Sequence, residues 1–282
     1  MFRSILLATD KSVAARSAQD IAMRYAERLK GYLTGVYIED RALLDTTTSY
    51  NLAAYGDVGF DALIDPEERK HRLANIQQEG QELSARFIDE ARQKKIPHAF
   101  KIIRDYVPDG ILNLAQAADL VVVGRRGTNP GADPKEPGEN TMKILHKANR
   151  PVLVVPEMPQ VGQMIGLAYD GSDGSNRALR VAAELSSRME MFLKVLTIKH
   201  RAMNTTLAQE NARRYLDTYP LQYELILRED SPATRIAELA QSGGLGLLVM
   251  GAYGHGPLSE FVFGSTTTQV LRKTYCPTLL CH

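Results

Sequence analysis

A repeat is the feature that most limits what this chain can fold into. Ile5-Leu6-Leu7-Ala8-Thr9-Asp10 returns 160 positions later as Ile165-Gly166-Leu167-Ala168-Tyr169-Asp170. The apolar positions that follow, Ala18, Ile21, Ala22 and Tyr25, return at the same offset as Ala178, Val181, Ala182 and Leu185. Steps of three, one and three fall on one face of a helix. A strand end, an acid and a helix face kept in one register specify the same unit twice. A length of 282 residues fits two domains. The reading places them at residues 1–157 and 163–282, around the linker Pro156-Glu157-Met158-Pro159-Gln160.

Each unit alternates short apolar runs with helical patterns. Second strands are expected at Leu33–Ile38 and Leu193–Ile198, and third strands at Ala99–Arg104 and Tyr223–Arg228. Pro108 and Pro232 follow the third strands and suit a first helical turn. Fourth strands are Leu120–Gly124 and Leu247–Gly251, and last strands Pro151–Val155 and Pro277–Cys281. Between them lie helical stripes at Leu73, Ile76, Leu83, Phe87 and Ala91, and at Leu207, Ala212 and Tyr215. Strands alternating with helices imply a parallel sheet covered on both faces. The fold class expected is α/β, with two tandem doubly wound five-stranded parallel sheets of Rossmann-like type. The halves differ most after their second strands. The first carries a long segment, Glu39 to Asp65, with Tyr50, Tyr55 and Phe60. A loop of that length is a lid, a partner surface, a ligand wall or a solvated insertion.

The chemistry concentrates after the fourth strand of the second half. Gly251 to Thr268 reads GAYGHGPLSEFVFGSTTT, with glycines spaced as Gly251-x2-Gly254-x9-Gly264-Ser265. Gly251 and Gly254 leave no Cβ in the way of a ligand. Gly264, Ser265 and Thr266 precede the helical pattern Gln269–Lys273. The unpaired N–H groups and positive dipole end of a helix hold phosphate, and the hydroxyls of Ser265, Thr266 and Thr267 add donors. The plain alternative is two turn glycines and one helix cap.

This spacing resembles the ATP-binding signature of universal stress proteins, and the order of elements resembles that family's fold over essentially the whole chain. The resemblance implies ATP as the ligand, with Mg²⁺ arriving through the phosphates, and a tandem chain that acts as a covalent pseudo-dimer. It places Ala168, Tyr169 and Asp170 at the adenosine end, Leu196 against adenine, and Met250 and Gly251 along the ribose. Gly254, His255, Gly264, Ser265, Thr266 and Thr267 would hold phosphate. Asp170 also reads as a helix cap. In the first half Asp10, Val36, Gly124 and Gly127 match the pattern. Beyond Gly127 it fails: ten residues separate Gly127 from Gly138, prolines stand at 130, 134 and 137, and Glu139 replaces the hydroxyl. A carboxylate there repels phosphate and prolines remove donors. Weak or no ATP binding is expected in the first half, with Asn140 and Thr141 as substitute donors for a different ligand.

Composition excludes other classes. With 34 basic and 33 acidic residues there is no surplus to attract nucleic acid. No apolar run approaches the ~20 residues of a membrane span. Cys276 and Cys281 are too few for a disulfide framework and read as reduced core thiols of a cytoplasmic protein. The six histidines show no metal-ligand spacing. The expected function is nucleotide-dependent stress signalling, with a homodimer and an unidentified protein as partners. The competing readings are a slow ATPase or a phosphate- or adenylate-transferring enzyme, with Glu260 and His255 as the nearby candidates, and a scaffold that binds no nucleotide.

Overall fold

The structure is a computed structural model that describes residues 2–45, 48–49, 61–62, 66–128, 133, 136–199, 205–252 and 265–282. The first half runs β1 (Ser4–Ala8), α1 (Val13–Leu29), β2 (Tyr32–Asp40), α2 (Arg41–Asp45), β3 (Thr48–Ser49), β4 (Asp61–Ala62), α3 (Pro66–Gln93), β5 (His98–Asp105), α4 (Val107–Ala115), β6 (Leu120–Gly124), α5 (Glu139–Lys147) and β7 (Val152–Val155). The second runs β8 (Met164–Ala168), α6 (Asp173–Met189), β9 (Phe192–Ile198), α7 (Thr205–Leu216), β10 (Tyr223–Arg228), α8 (Pro232–Gln241), β11 (Leu245–Gly251), α9 (Ser265–Lys273) and β12 (Thr278–Cys281).

The repeat survives at the level of caps. Ser12 and Ser172 are the N-caps of α1 and α6, accepting from the amides of Ala15 and Ser175 at 3.1 and 3.3 Å. Lys30 and Glu190 close the same helices in the left-handed conformation, with φ of 51° and 53°. All four sit at the offset seen in sequence. The helix cap is therefore two residues past Asp10 and Asp170. Each acid instead accepts the backbone amide of its capping serine, Asp10 Oδ1 from Ser12 at 2.8 Å and Asp170 Oδ1 from Ser172 at 3.0 Å.

Ten strands form one sheet in the order β10-β9-β8-β11-β12-β7-β6-β1-β2-β5. Within each half all pairs are parallel, and the strands lie 3-2-1-4-5 in local order. The halves join where β12 pairs antiparallel with β7, with Leu279 opposite Leu153. The expected two five-stranded sheets are thus one continuous sheet, and the pseudo-dimer is sealed by backbone hydrogen bonds. Alternation along each strand feeds two cores. Ile5, Leu7, Val122, Leu153, Val155, Leu167, Val249 and Leu279 pack with α1, α3, α6 and α7 on one face. Leu6, Val121, Val123, Val154, Met250 and Leu280 pack with α4, α5, α8 and α9 on the other. Both cores run across the seam.

Three expectations need correction. The stripe on α7 is Ala208, Ala212 and Leu216, while Leu207 is 49% exposed. Strand β2 continues through Asp40, paired with Asp105, so the long segment begins after it. Most of that segment, with Tyr50, Tyr55 and Phe60, lies outside the described residues. The last helix spans Ser265–Lys273, so Ser265 and Thr266, expected before it, stand with Thr267 in its first turn.

Candidate functional site

The strand order reverses direction between β8 and β11, and in open α/β sheets ligands bind beyond the carboxyl ends of strands at such a switch. Ala168 ends β8 in register with Leu196 of β9, and Gly251 ends β11 beside them. Asp170 follows β8, and the N-terminus of α9 follows β11 in the chain. The structure thus brings Ala168, Tyr169, Asp170, Leu196, Met250 and Gly251 to one edge. Gly254, His255 and Gly264 lie outside the described residues, as does Glu260.

Burial separates what these residues offer. Leu196 and Met250 are 3% and 4% exposed, with side chains in the core under α8 and α9. The Leu196 carbonyl accepts from the Tyr169 amide at 2.9 Å, which ties β8 to β9 at this edge. The Tyr169 ring is buried in the opposite core, and its hydroxyl donates to Asn176 Oδ1 at 2.8 Å. Burial, with the Asp170 charge nearby, raises the Tyr169 pKa. Tyr169 therefore presents backbone to the edge and a neutral ring to the core. Asp170 is half-buried and also accepts from the Ser172 hydroxyl at 2.6 Å.

Gly251 answers to packing as well as to any ligand. A Cβ there would sit 2.8 Å from the carbonyl carbon of Gly174 and 3.1 Å from the Ser175 amide, in the first turn of α6. Gly124 makes the same approach to Ala14 and Ala15 at 2.9 Å. The glycine that ends each fourth strand lets the first helix of that half lie close to the sheet.

The first turn of α9 divides its hydroxyls. Ser265 is exposed and Thr266 half-exposed, whereas Thr267 is 3% exposed and points back to the Ala252 carbonyl at 3.5 Å. The first turn holds no acidic residue. Its counterpart α5 begins with Glu139, exposed and paired with Lys143 at 2.6 Å, whose hydrogen bond and charge lower the Glu139 pKa. Glu139 is thus a carboxylate at a helix N-terminus, where it already complements the dipole an anion would use. Thr141, expected as a substitute donor, is 5% exposed and donates to the Gly124 carbonyl at 3.0 Å. Only Asn140 keeps an exposed side chain among those substitutes.

The first half's edge is filled by its own groups. Asp10 Oδ2 accepts the Thr128 amide at 3.3 Å and lies 2.8 Å from where a Cβ on Gly127 would stand. The Ser12 hydroxyl donates to the Arg126 carbonyl at 3.1 Å, and the Gly138 amide donates to the Arg125 carbonyl at 2.8 Å. Lys11 reaches Glu79 and Glu82 of α3 at 3.7 and 3.5 Å. Burial raises the pKa of Tyr37 and of Glu79, which hydrogen-bond each other, and Lys11 opposes the rise at Glu79. Val36 is buried at the end of this edge, its carbonyl taken by the Thr9 amide at 2.9 Å. At the matching place the second half has Gly171, with φ of 78°, facing Ala208. Among the described residues, Gly171 and Ala208 bring no charge to that place.

One residue that periodicity does not single out is Arg125, immediately after β6. Its guanidinium is buried and reaches Glu157 at 2.6 Å. The signal in sequence is the repeat itself, which puts Ala252 at the same place in the second half. Among the described residues no group of three or more His, Cys, Asp or Glu is placed to hold a metal. No described helix is long and apolar enough to cross a membrane.

Known proteins are similar to this chain in architecture and in sequence. A universal stress protein from Archaeoglobus fulgidus superposes with a TM-score of 0.74 at 15% identity, covering 100% of this chain and 98% of that one. Universal stress protein Slr1230 of Synechocystis is 26% identical over 287 residues, covering 98% of this chain and 99% of the relative. Universal stress protein YxiE of Bacillus subtilis is 27% identical over 140 residues, spanning 40% of this chain and 95% of its own length. It is close to a single half, whereas Slr1230 has this chain's full length. The model of the universal stress protein family matches residues 1–156 and 196–282. With the fold, the repeat and the family model in agreement across most of its length, this chain belongs to the universal stress protein family.

Proposed function

We propose that the second half, residues 163–282, binds ATP, and that occupancy of this site sets which surface the protein offers to a signalling partner. The observation that carries the reading is the contrast between the two helix N-termini. On α9 an exposed Ser265 and a half-exposed Thr266 stand on a first turn without acids, while α5 places Glu139 there. In this reading Ala168, Tyr169, Asp170 and Leu196 bound the adenosine end, and Met250 and Gly251 pass along the ribose. Gly251 gives backbone access, and Gly254, His255 and Gly264 with the α9 N-terminus hold the phosphates. Oriented N–H groups and the helix dipole supply the attraction. Mg²⁺ would be carried by the phosphates, with few or no protein ligands. The first half, residues 1–157, keeps the fold without an open cradle.

The test is to denature freshly purified protein and identify any released nucleotide by chromatography and mass. About one ATP per chain supports the reading, and Gly264→Asp is expected to lose the nucleotide while melting as the wild type does. Released ADP or AMP without ATP would direct attention to slow hydrolysis. No released nucleotide, followed by no heat of binding on ATP titration, overturns it.

A further inference from the structure

The antiparallel seam has a geometric consequence for α9. It sets the carboxyl edge of each half beside the opposite edge of the other. Helix α9 runs back from the second half's carboxyl edge, so its C-terminus arrives next to the first half's loop between β6 and α5. There Arg125, with a side chain 9% exposed, directs Nη1 at the carbonyls of Leu271 and Thr274 at 3.5 and 3.4 Å. Its Nη2 holds Glu157 at 2.6 Å, and its guanidinium lies 6.0 Å from the Tyr275 ring centre. Carbonyls at a helix C-terminus lack intrahelical donors, and a cation there complements the dipole. On the surface of α9, Arg272 meets Asp133 at 3.3 Å and Glu136 at 3.1 Å, both from that same loop.

Among the described residues, the two halves differ at the corresponding positions. Ala252 occupies the place of Arg125 in the second half and is fully buried, and α5 carries His146 where α9 carries Arg272. In the stretch of sequence that stands where the second half has its glycine motif, Asp133 and Glu136 are carboxylates, unsuited to phosphate, and both meet a helix of the other half.

We infer that this loop is a brace across the seam: Arg125, Asp133 and Glu136 fix the position of α9 and thereby set the affinity of its N-terminus for phosphate. The inference rests on α9 being the phosphate-binding helix proposed above. Arg125 is a positioning residue, since it sits at the opposite end of α9 from the ligand. A nine-residue helix is about 13 Å long and moves as a stiff unit. A shift of its held end therefore carries to the N–H groups at the other. The coupling acts on phosphate contacts and leaves the adenosine end, built on β8 and β9, in place.

Calorimetric titration of the full chain with ATP and with AMP tests this. Arg125→Met is expected to weaken ATP about tenfold and Arg272→Glu about threefold, with AMP affinity changed by less than twofold, so that the ATP-to-AMP preference falls. Adding Asp133→Arg and Glu136→Arg to Arg272→Glu re-forms the pairing with reversed charge and is expected to restore the preference. A merely structural role would lower both affinities together or neither. If Arg125→Met does not fold, the Arg272 series decides alone. Wild-type binding with an unchanged preference in the folded variants overturns the brace and leaves the site standing. Wild-type binding of neither nucleotide removes the site and the brace with it.

Discussion

At the residue scale, the same sequence letter serves packing and chemistry at once. Gly124 sits in the half whose edge is filled by its own side chains, so it isolates the packing role. With a Cβ forced to 2.9 Å from backbone atoms of Ala14 and Ala15, Gly124→Ala is expected to destabilise by about 1–3 kcal/mol, read from urea melts. The thiols are a second case. Cys276 and Cys281 are buried, unpaired, and pushed by burial from the ordinary 9.0 up to about 12. Neither is expected to react with iodoacetamide at pH 8 in the folded protein, and both should react in denaturant. The sign for stability follows: a folded pKa above the unfolded one favours folding fully below pH 9, and that contribution is lost as pH rises towards 12. Denaturant midpoints measured across pH 8 to 11 should fall, and a flat profile would show that the thiols are not held in that environment.

Elements decide which hydroxyls are available. Consecutive residues on a helix lie about 100° apart, so the run Ser265-Thr266-Thr267 cannot face one way. Thr267 turns inward to the sheet, as Thr141 does in the first half. Ser265 remains exposed on a positively polarised turn. A carboxylate at that position serves the free helix and opposes an anionic ligand, so Ser265→Glu should move two quantities in opposite directions. Stability is expected to rise by about 0.3–1 kcal/mol through the helix dipole, while ATP affinity falls at least tenfold. Thermal melts and calorimetry on one preparation check both. Unchanged affinity would place the ligand away from α9, and a fall in stability would show that local packing at Ser265 outweighs the dipole. Glu139 carries out the same substitution naturally in the first half.

For the whole molecule, the seam joins the two halves through one sheet and through cores that cross it. Leu153 and Leu279 face each other across β7 and β12, both fully buried, and the core they join contains α1 and α6 together. Arg188 of α6 donates to the Leu29 carbonyl of α1, adding a polar tie between the halves. Calorimetry is expected to show a single transition, and Leu153→Ala to lower it by about 2–5 kcal/mol without splitting it. Two resolved transitions would mean that the halves unfold independently.

The sequence by itself determined the unit, its duplication and the edge on which the candidate site lies. Repeats with matched apolar periodicity, glycines and proline helix starts are local signals, and local sterics and burial fix them. The capping serines are equally local signals, but each stands two residues past an acid that also suits a cap. Tertiary structure alone decided three things. It chose β7 against β12, antiparallel, because two apolar edge strands do not encode their partner or direction. It chose which face of α7 is buried, since Leu207 and Ala208 differ by one step and only the packed sheet discriminates between them. It also placed Arg125, Asp133 and Glu136 on a helix of the other half, more than a hundred residues away, where charge and carbonyl meet only once the seam has closed.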